Sequence, residues 1–282
     1  MSEIKLYMNQ DRVKNKMTEL LGEKRAPQFI ASVIQIANQN DMLAKAEPQS
    51  VFNAAAMAAM LDLPLNNNLG FAYIVPYNNR QKDGTFKTVA QFQIGYKGFI
   101  QLAQRSGQFK TISAAPVYDG QLVGKNPLEG YQFDWDAKTS DKVIGYAAYF
   151  KLINGFEKTL YMTISELNSH GKKFSKTFSN GLWKNDFDAM AIKTVLKLLL
   201  SKYAPLSVEM QRAVTVDQAL INDSDGNDVK YIDNEVDEIN HEEDRLIQLI
   251  DACKSKAELS TYKDDVPDTL LDYYNNKINE LA

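Results

Sequence analysis

Between residues 48 and 107 the spacing of apolar side chains changes period twice, and no single-class fold accommodates that change. Pro48 to Leu63 is an alanine- and methionine-rich run that Pro64 ends, as a helix would be ended. Phe71, Tyr73, Val75 and Tyr77 then alternate with other residues, and so do Phe86, Thr88, Ala90, Phe92, Ile94 and Tyr96. Alternation with period two marks strands, here joined by the polar turn Asn78 to Gly84. From Tyr96 a helix follows and stops near Gly107, a natural C-terminal cap. Helices and hairpin-connected strands therefore share this part of the chain.

The flanks add elements of both kinds. Pro27 to Asn40 carries Phe29, Ile30, Val33, Ile34 and Ile36, mostly at helical spacing. A strand is expected over Phe109 to Tyr118, followed by a looser segment, Asp119 to Gly130, with glycines at 120, 124 and 130. Val143 to Ile153 and Phe156 to Thr163 flank Asn154-Gly155, a strong hairpin signal. Thr163 and Glu166 have capping-box spacing for a short helix. A loop from His170 to Gly181 precedes a helix from about Lys184 to Lys202, and a further helix runs to about Ile221. Glu242 to Cys253, Ala257 to Tyr262 and Asp268 to Leu281 read as short helices. The expected organisation is a body over 1–221, an acidic linker over 222–238 and a small helical module over 239–282.

Charge divides the chain in the same place. Residues 1–220 carry 26 Lys+Arg against 19 Asp+Glu, a net of +7, whereas residues 221–282 carry 6 against 17, a net of −11. The formal total of −4 hides a basic body and an acidic appendage. The appendage reads either as a solubilising tail or as a competitor for a basic groove. With 44% hydrophobic and 24% charged residues over 282 positions, the chain can bury a substantial core. No run approaches the roughly 18 apolar residues of a membrane span. Met1 to Lys16 is polar, without the apolar centre of a secretion signal, and the single Cys253 allows no internal disulfide. A reducing cytoplasm suits these features.

Several chemistries have no foothold. The sequence holds no G-x-x-x-x-G-K-[ST] loop, so an ATPase of that class is not expected. His170 and His241 are the only histidines, which argues against a histidine-rich metal site or a histidine-based triad. Asp223, Asp225 and Asn227 suit positions 1, 3 and 5 of a calcium loop, but Asp228 stands where glycine and Asn234 where glutamate is needed. No cofactor, metal or catalytic residue is expected.

Four basic groupings are candidate DNA contacts. Lys97, Gln101, Gln104 and Arg105 fall on one helical face at i, i+4, i+7 and i+8. In residues 170–184, Lys172, Lys173, Lys176 and Lys184 interleave with Phe174, Phe178 and Trp183, the mixture that strand-tracking proteins use. Two readings fit this stretch: the rings stack on bases, or they anchor the loop to the core while the lysines face water. Lys193 and Lys197 lie four residues apart beside an apolar stripe. Arg80 and Lys82 occupy a hairpin tip with Lys87 nearby. Each grouping also reads as an ordinary solvated surface.

The run PQSVFNAAAMAAMLDLPLNNNLGFAYIVPY (48–77), with QFQIGYKGFIQLAQRSG (91–107) and DFDAMAIKTVLKLLLSKY (186–203), resembles the signature of the RecT family of phage single-strand annealing proteins. The likeness covers about residues 25–215. It implies an α+β fold in which a small antiparallel β-sheet is packed with helices in an oligomerising core. It further implies ATP-independent binding of single-stranded DNA, annealing to a duplex, and assembly into rings or helical filaments in the cytoplasm of a bacterial host. A partner exonuclease and the host single-strand-binding protein are the implied contacts of the C-terminal module. On that mechanism Lys97, Gln101, Arg105, Lys172, Lys173, Lys176, Lys184, Lys193 and Lys197 hold the strand, with Phe174 and Trp183 as stacking candidates and Arg80, Lys82 and Lys87 as a basic finger.

Overall fold

The computed structural model describes residues 2–80, 85–126, 129–175, 177–179, 181–223, 225–230, 253, 255–263, 266, 274, 277 and 278. The fold is α+β, with small antiparallel sheets packed with helices. Residues 1–233 and 234–282 form two compact units.

In the first unit, α1 (Glu3–Met8) and α2 (Asp11–Leu21) pack on α5 (Pro48–Met60), α3 (Ala26–Asn38) packs on α1 and α2, and α4 (Asp41–Ala44) packs on α3. The sequence reading places no helix before Pro27. Yet α1 and α2 bury only Ile4, Met8, Val13 and Met17, one apolar residue per turn on otherwise polar helices. Helix α5 is buried at every position from Ser50 to Ala59, and its alanines let neighbours approach on all sides. Its polar residues are spent on tertiary bonds. Ser50 Oγ accepts from the Ala90 amide at 2.9 Å, and Asn53 Nδ2 donates to the Ile221 carbonyl at 2.8 Å.

Strands β1 (Ala72–Arg80) and β2 (Phe86–Ile94) pair antiparallel, with Ala72 opposite Ile94. One face, with Ile74, Ala90, Phe92 and Ile94, lies in the core shared with α5. Helix α6 (Tyr96–Arg105) follows, then β3 (Phe109–Tyr118), which joins β6 (Val143–Leu152) and β7 (Glu157–Thr163) in a second sheet of order β3-β6-β7. Gly155 turns the β6–β7 hairpin with φ of 91°, as the Asn-Gly signal requires. The segment expected to be loose contains a hairpin, β4 (Leu122–Asn126) and β5 (Gly130–Phe133). Tyr131 and Phe133 pack on Tyr161 of β7, and Trp135 stacks on Phe133 at 5.0 Å. Aromatic residues rather than an apolar alternation hold that hairpin, so periodicity does not reveal it.

Thr163 and Glu166 close the capping box of α7 (Ile164–Phe174). The expected loop therefore begins five residues later than His170, because Leu167 and Gly171 continue a buried face. After α8 (Leu182–Asn185), α9 (Phe187–Tyr203) lays Ala191, Val195, Leu196 and Leu199 against the second sheet. Tyr146 of β6 donates to the Asp188 carboxylate at the start of α9.

Helix α10 (Val208–Val216) ends five residues before Ile221, where Asp217 turns inward. Strands β8 (Leu220–Ile221) and β9 (Val229–Lys230) then pair, so the expected linker, drawn from 222, includes a strand of the folded unit. Gly226, with φ of 74°, lies so close to Met57 that a Cβ would stand 2.0 Å from its Cε.

In the second unit, α11 (Lys256–Ser260) is capped by Ser255, and Cys253, Leu259 and Tyr274 form a small core with Tyr262, Val266 and Ile278. The expected helices over Glu242–Cys253 and Asp268–Leu281 fall almost entirely outside the described residues. Among the described residues no helix is long and apolar enough to cross a membrane.

Candidate nucleic-acid interface

Two glycines seat α6. A Cβ on Gly95 would lie 2.1 Å from the Gly70 carbonyl oxygen, and one on Gly98 would lie 2.3 Å from that of Phe71. The first turn of α6 therefore rests directly on the 70–71 backbone, which no larger residue permits. Lys97 projects from that turn into solvent, its stem beside Gly70. Phe99, Leu102 and Ala103 face the core.

The rest of the expected basic face does not stand free. Arg105 donates to the carbonyls of Leu61 at 2.7 Å and Asp62 at 2.5 Å, just past the end of α5, with the Asp62 carboxylate 3.6 Å away. It ties the end of α6 to the turn that follows α5. Gln101 is half-buried, and its buried Oε1 has no hydrogen-bond partner among the described residues. Arg105→Ala is expected to lower stability by about 2 kcal/mol, the loss of charge-assisted bonds to carbonyls. The salt dependence of DNA binding should stay unchanged. Urea denaturation and a salt titration of the same variant check both.

The lysine run lies mostly on helices. Lys172 and Lys173 are exposed in the last turn of α7, where the helix dipole favours cations. Lys184 is exposed on α8. Phe174 is half-buried, 4.6 Å from His170 and 5.3 Å from the Lys173 ammonium. Trp183 departs from a surface stacking role. It is 5% exposed, packed against Phe178 and Phe187, and Gly171 has no side chain to hold it off. Of the two readings of this stretch, Phe178 and Trp183 follow the anchoring one. Burial, then the charges of Lys197 and Lys173, pushes the His170 imidazole below its ordinary value. Lys176 lies outside the described residues.

Lys193 and Lys197 do not form a solvated helix side. Lys193 is 6% exposed and donates to Asp217 Oδ1 at 2.9 Å, while Lys197 donates to Oδ2 at 2.8 Å. The Asp217 side chain is wholly buried and also accepts from the Ile94 amide at 2.9 Å. Burial alone would raise its carboxyl, but the two lysines and the hydrogen bonds outweigh it and hold the group below the usual carboxylate range. Spacing along α9 could not reveal this, because the carboxylate lies 24 and 20 residues away. At the β1–β2 hairpin, Lys87 pairs with Glu47 at 2.6 Å. The Arg80 side chain and Lys82 lie outside the described residues. Among the described residues no cluster of three or more His, Cys, Asp or Glu could hold a metal ion.

A family model described as "RecT family" matches residues 27–234. The chain is 51% identical over 212 residues to the "Uncharacterized protein YqaK" of Bacillus subtilis (strain 168), covering 75% of this chain and 70% of the relative. It is 29% identical over 226 residues to "Protein RecT" of Escherichia coli (strain K12), covering 77% and 81% respectively. The matched span runs from the start of α3 to just beyond β9, and so contains α6, the α7–α8 lysines and the Asp217 clamp.

Proposed function

Because this chain belongs to the RecT family, whose role is phage-type recombination by single-strand annealing, we propose that it binds single-stranded DNA and pairs it with a complementary strand without ATP. The family match carries this reading. The exposed Lys97, Lys172, Lys173 and Lys184 support it, since lysines on surface helix turns suit phosphates. Phosphate contacts fix a strand without reading its bases, as a sequence-independent annealer requires. Base pairing supplies the driving force, so the protein needs only to concentrate and extend the strands. The sequence holds no G-x-x-x-x-G-K-[ST] loop, which fits a reaction without an ATPase of that class.

The working form is a homo-oligomer, a ring or filament, acting in the cytoplasm of a bacterial host. The unit over 234–282 contacts a partner exonuclease and the host single-strand-binding protein. The test is annealing of two complementary fluorescent oligonucleotides without nucleotide or metal. Wild type should anneal them faster than buffer alone, and Lys97→Ala/Lys172→Ala/Lys173→Ala should lose most of that acceleration. No acceleration by wild type would refute the proposal.

A further inference from the structure

The loop after α7 closes a cavity of about 290 Å³ against the β1–β2 hairpin. Its lining includes Tyr77, Gln93, Ser175, Thr177, Trp183 and Gln218. Small-molecule pockets begin at about 300 Å³, so this one suits a single heterocycle rather than a run of stacked bases. Tyr77 supplies aromatic surface, and Trp183, anchored on Phe178 and Phe187, forms part of the wall. The amides of Gln93 and Gln218 and the hydroxyls of Ser175 and Thr177 can each donate or accept. The Ser175 and Thr177 hydroxyls can rotate to suit the edge of any base, which avoids sequence preference.

The polar side of the cavity is built rather than incidental. Gln218 sits at φ of 67°, a left-handed conformation that costs a non-glycine residue energy. It is kept there by Asp217, clamped by Lys193, Lys197 and the Ile94 amide, and by its own amide, which donates to the Phe92 carbonyl at 3.0 Å. Gln93 Nε2 donates to the Tyr77 hydroxyl at 2.9 Å, fixing both side chains. Gln91 shares the strand face of Gln93 and pairs with Val75, another lining residue. Its side chain is fully buried, and neither amide atom has a partner among the described residues.

We propose that the cavity receives one nucleobase, unstacked from a strand whose phosphates lie along Lys172, Lys173 and Lys184; this rests on the DNA-binding reading above. Withdrawing one base from the stack holds the strand open, so that its neighbours meet a complement without first breaking a self-stacked coil.

Trp135→Phe leaves Trp183 as the one tryptophan of the chain and makes its emission a direct probe. The ligands are oligodeoxythymidine and an abasic deoxyribose-phosphate chain of equal length. Oligodeoxythymidine should quench Trp183 and bind about tenfold more tightly than the abasic chain, the effect of one stacked base. Thr177→Phe, which fills the cavity, should abolish both the quench and the preference while leaving the salt dependence intact. Equal binding of the two chains with unchanged Trp183 emission would overturn the base cavity and leave the DNA-binding reading standing. Failure of both chains to bind at low salt would overturn both readings.

Discussion

Asp217→Ala is expected to destabilise the first unit by about 3–5 kcal/mol, the cost of leaving buried charge without its partner. Lys193, 6% exposed, would lose the carboxylate oxygen 2.9 Å from its ammonium, and Lys197 would lose its only close carboxylate among the described residues. The Ile94 amide would also lose its acceptor. At roughly 2–4 °C per kcal/mol for a protein of this size, the melting temperature should fall by on the order of 10 °C. Asp217→Leu combined with Lys193→Met should recover much of that loss, because an apolar pair does not need neutralising. The acid side follows with a definite sign. The folded carboxyl lies below its unfolded value of about 3.9, so its contribution is complete above that pH and lost as pH falls through the depressed folded value. In Asp217→Leu/Lys193→Met that acid-dependent part should vanish. Urea denaturation between pH 3 and 7, taken as an approximate window around that value, measures all three proteins. A change below about 1 kcal/mol in Asp217→Ala would show that the clamp adds little.

Replacing Lys97, Lys172, Lys173 and Lys184 together with alanine is expected to have the largest effect on DNA binding. All four are exposed, so their loss leaves no buried charge behind. For single strands, log affinity falls with log salt by about 0.7 per neutralised phosphate, so the slope should become shallower by about 2.8 if each lysine holds one phosphate. Stability should change little, since surface lysines away from special contacts alter it by about 0.5 kcal/mol or less. The contrast with Arg105→Ala is the useful one: one variant loses slope and keeps its fold, and the other loses stability and keeps its slope. An unchanged slope in the quadruple variant would move the strand elsewhere on the surface.

The sequence was informative wherever an element is shaped by its own neighbours. The β1–β2 and β6–β7 hairpins, α6, and the Thr163–Glu166 box follow from alternation, turn chemistry and capping, which act within a few residues. The limits of α10 do not, because a buried ion pair reached from α9 decides where that helix ends. The site divides on the same line. Lys97, Lys172, Lys173 and Lys184 are exposed, and local spacing suffices to place them on helix surfaces. Arg105 bonds to residues 43 and 44 positions earlier, and Lys193 to one 24 positions later, so no spacing rule distinguishes them from solvated lysines and arginines. Gly95 and Gly98 likewise answer to a distant neighbour, a backbone laid against them at distances only glycine allows.

The Asp217 clamp also constrains how this sequence can drift over generations. Positions 193, 197 and 217 share one charge balance, so a neutral residue at 217 takes a carboxylate from two ammonium groups, and a neutral residue at 193 takes an ammonium from a buried carboxylate. Each single step crosses a valley of lowered stability, while the concerted exchange to apolar residues does not. Across descendants of this chain the three sites should be inherited and replaced as one character, and a lineage that alters one alone should carry its compensation at the others.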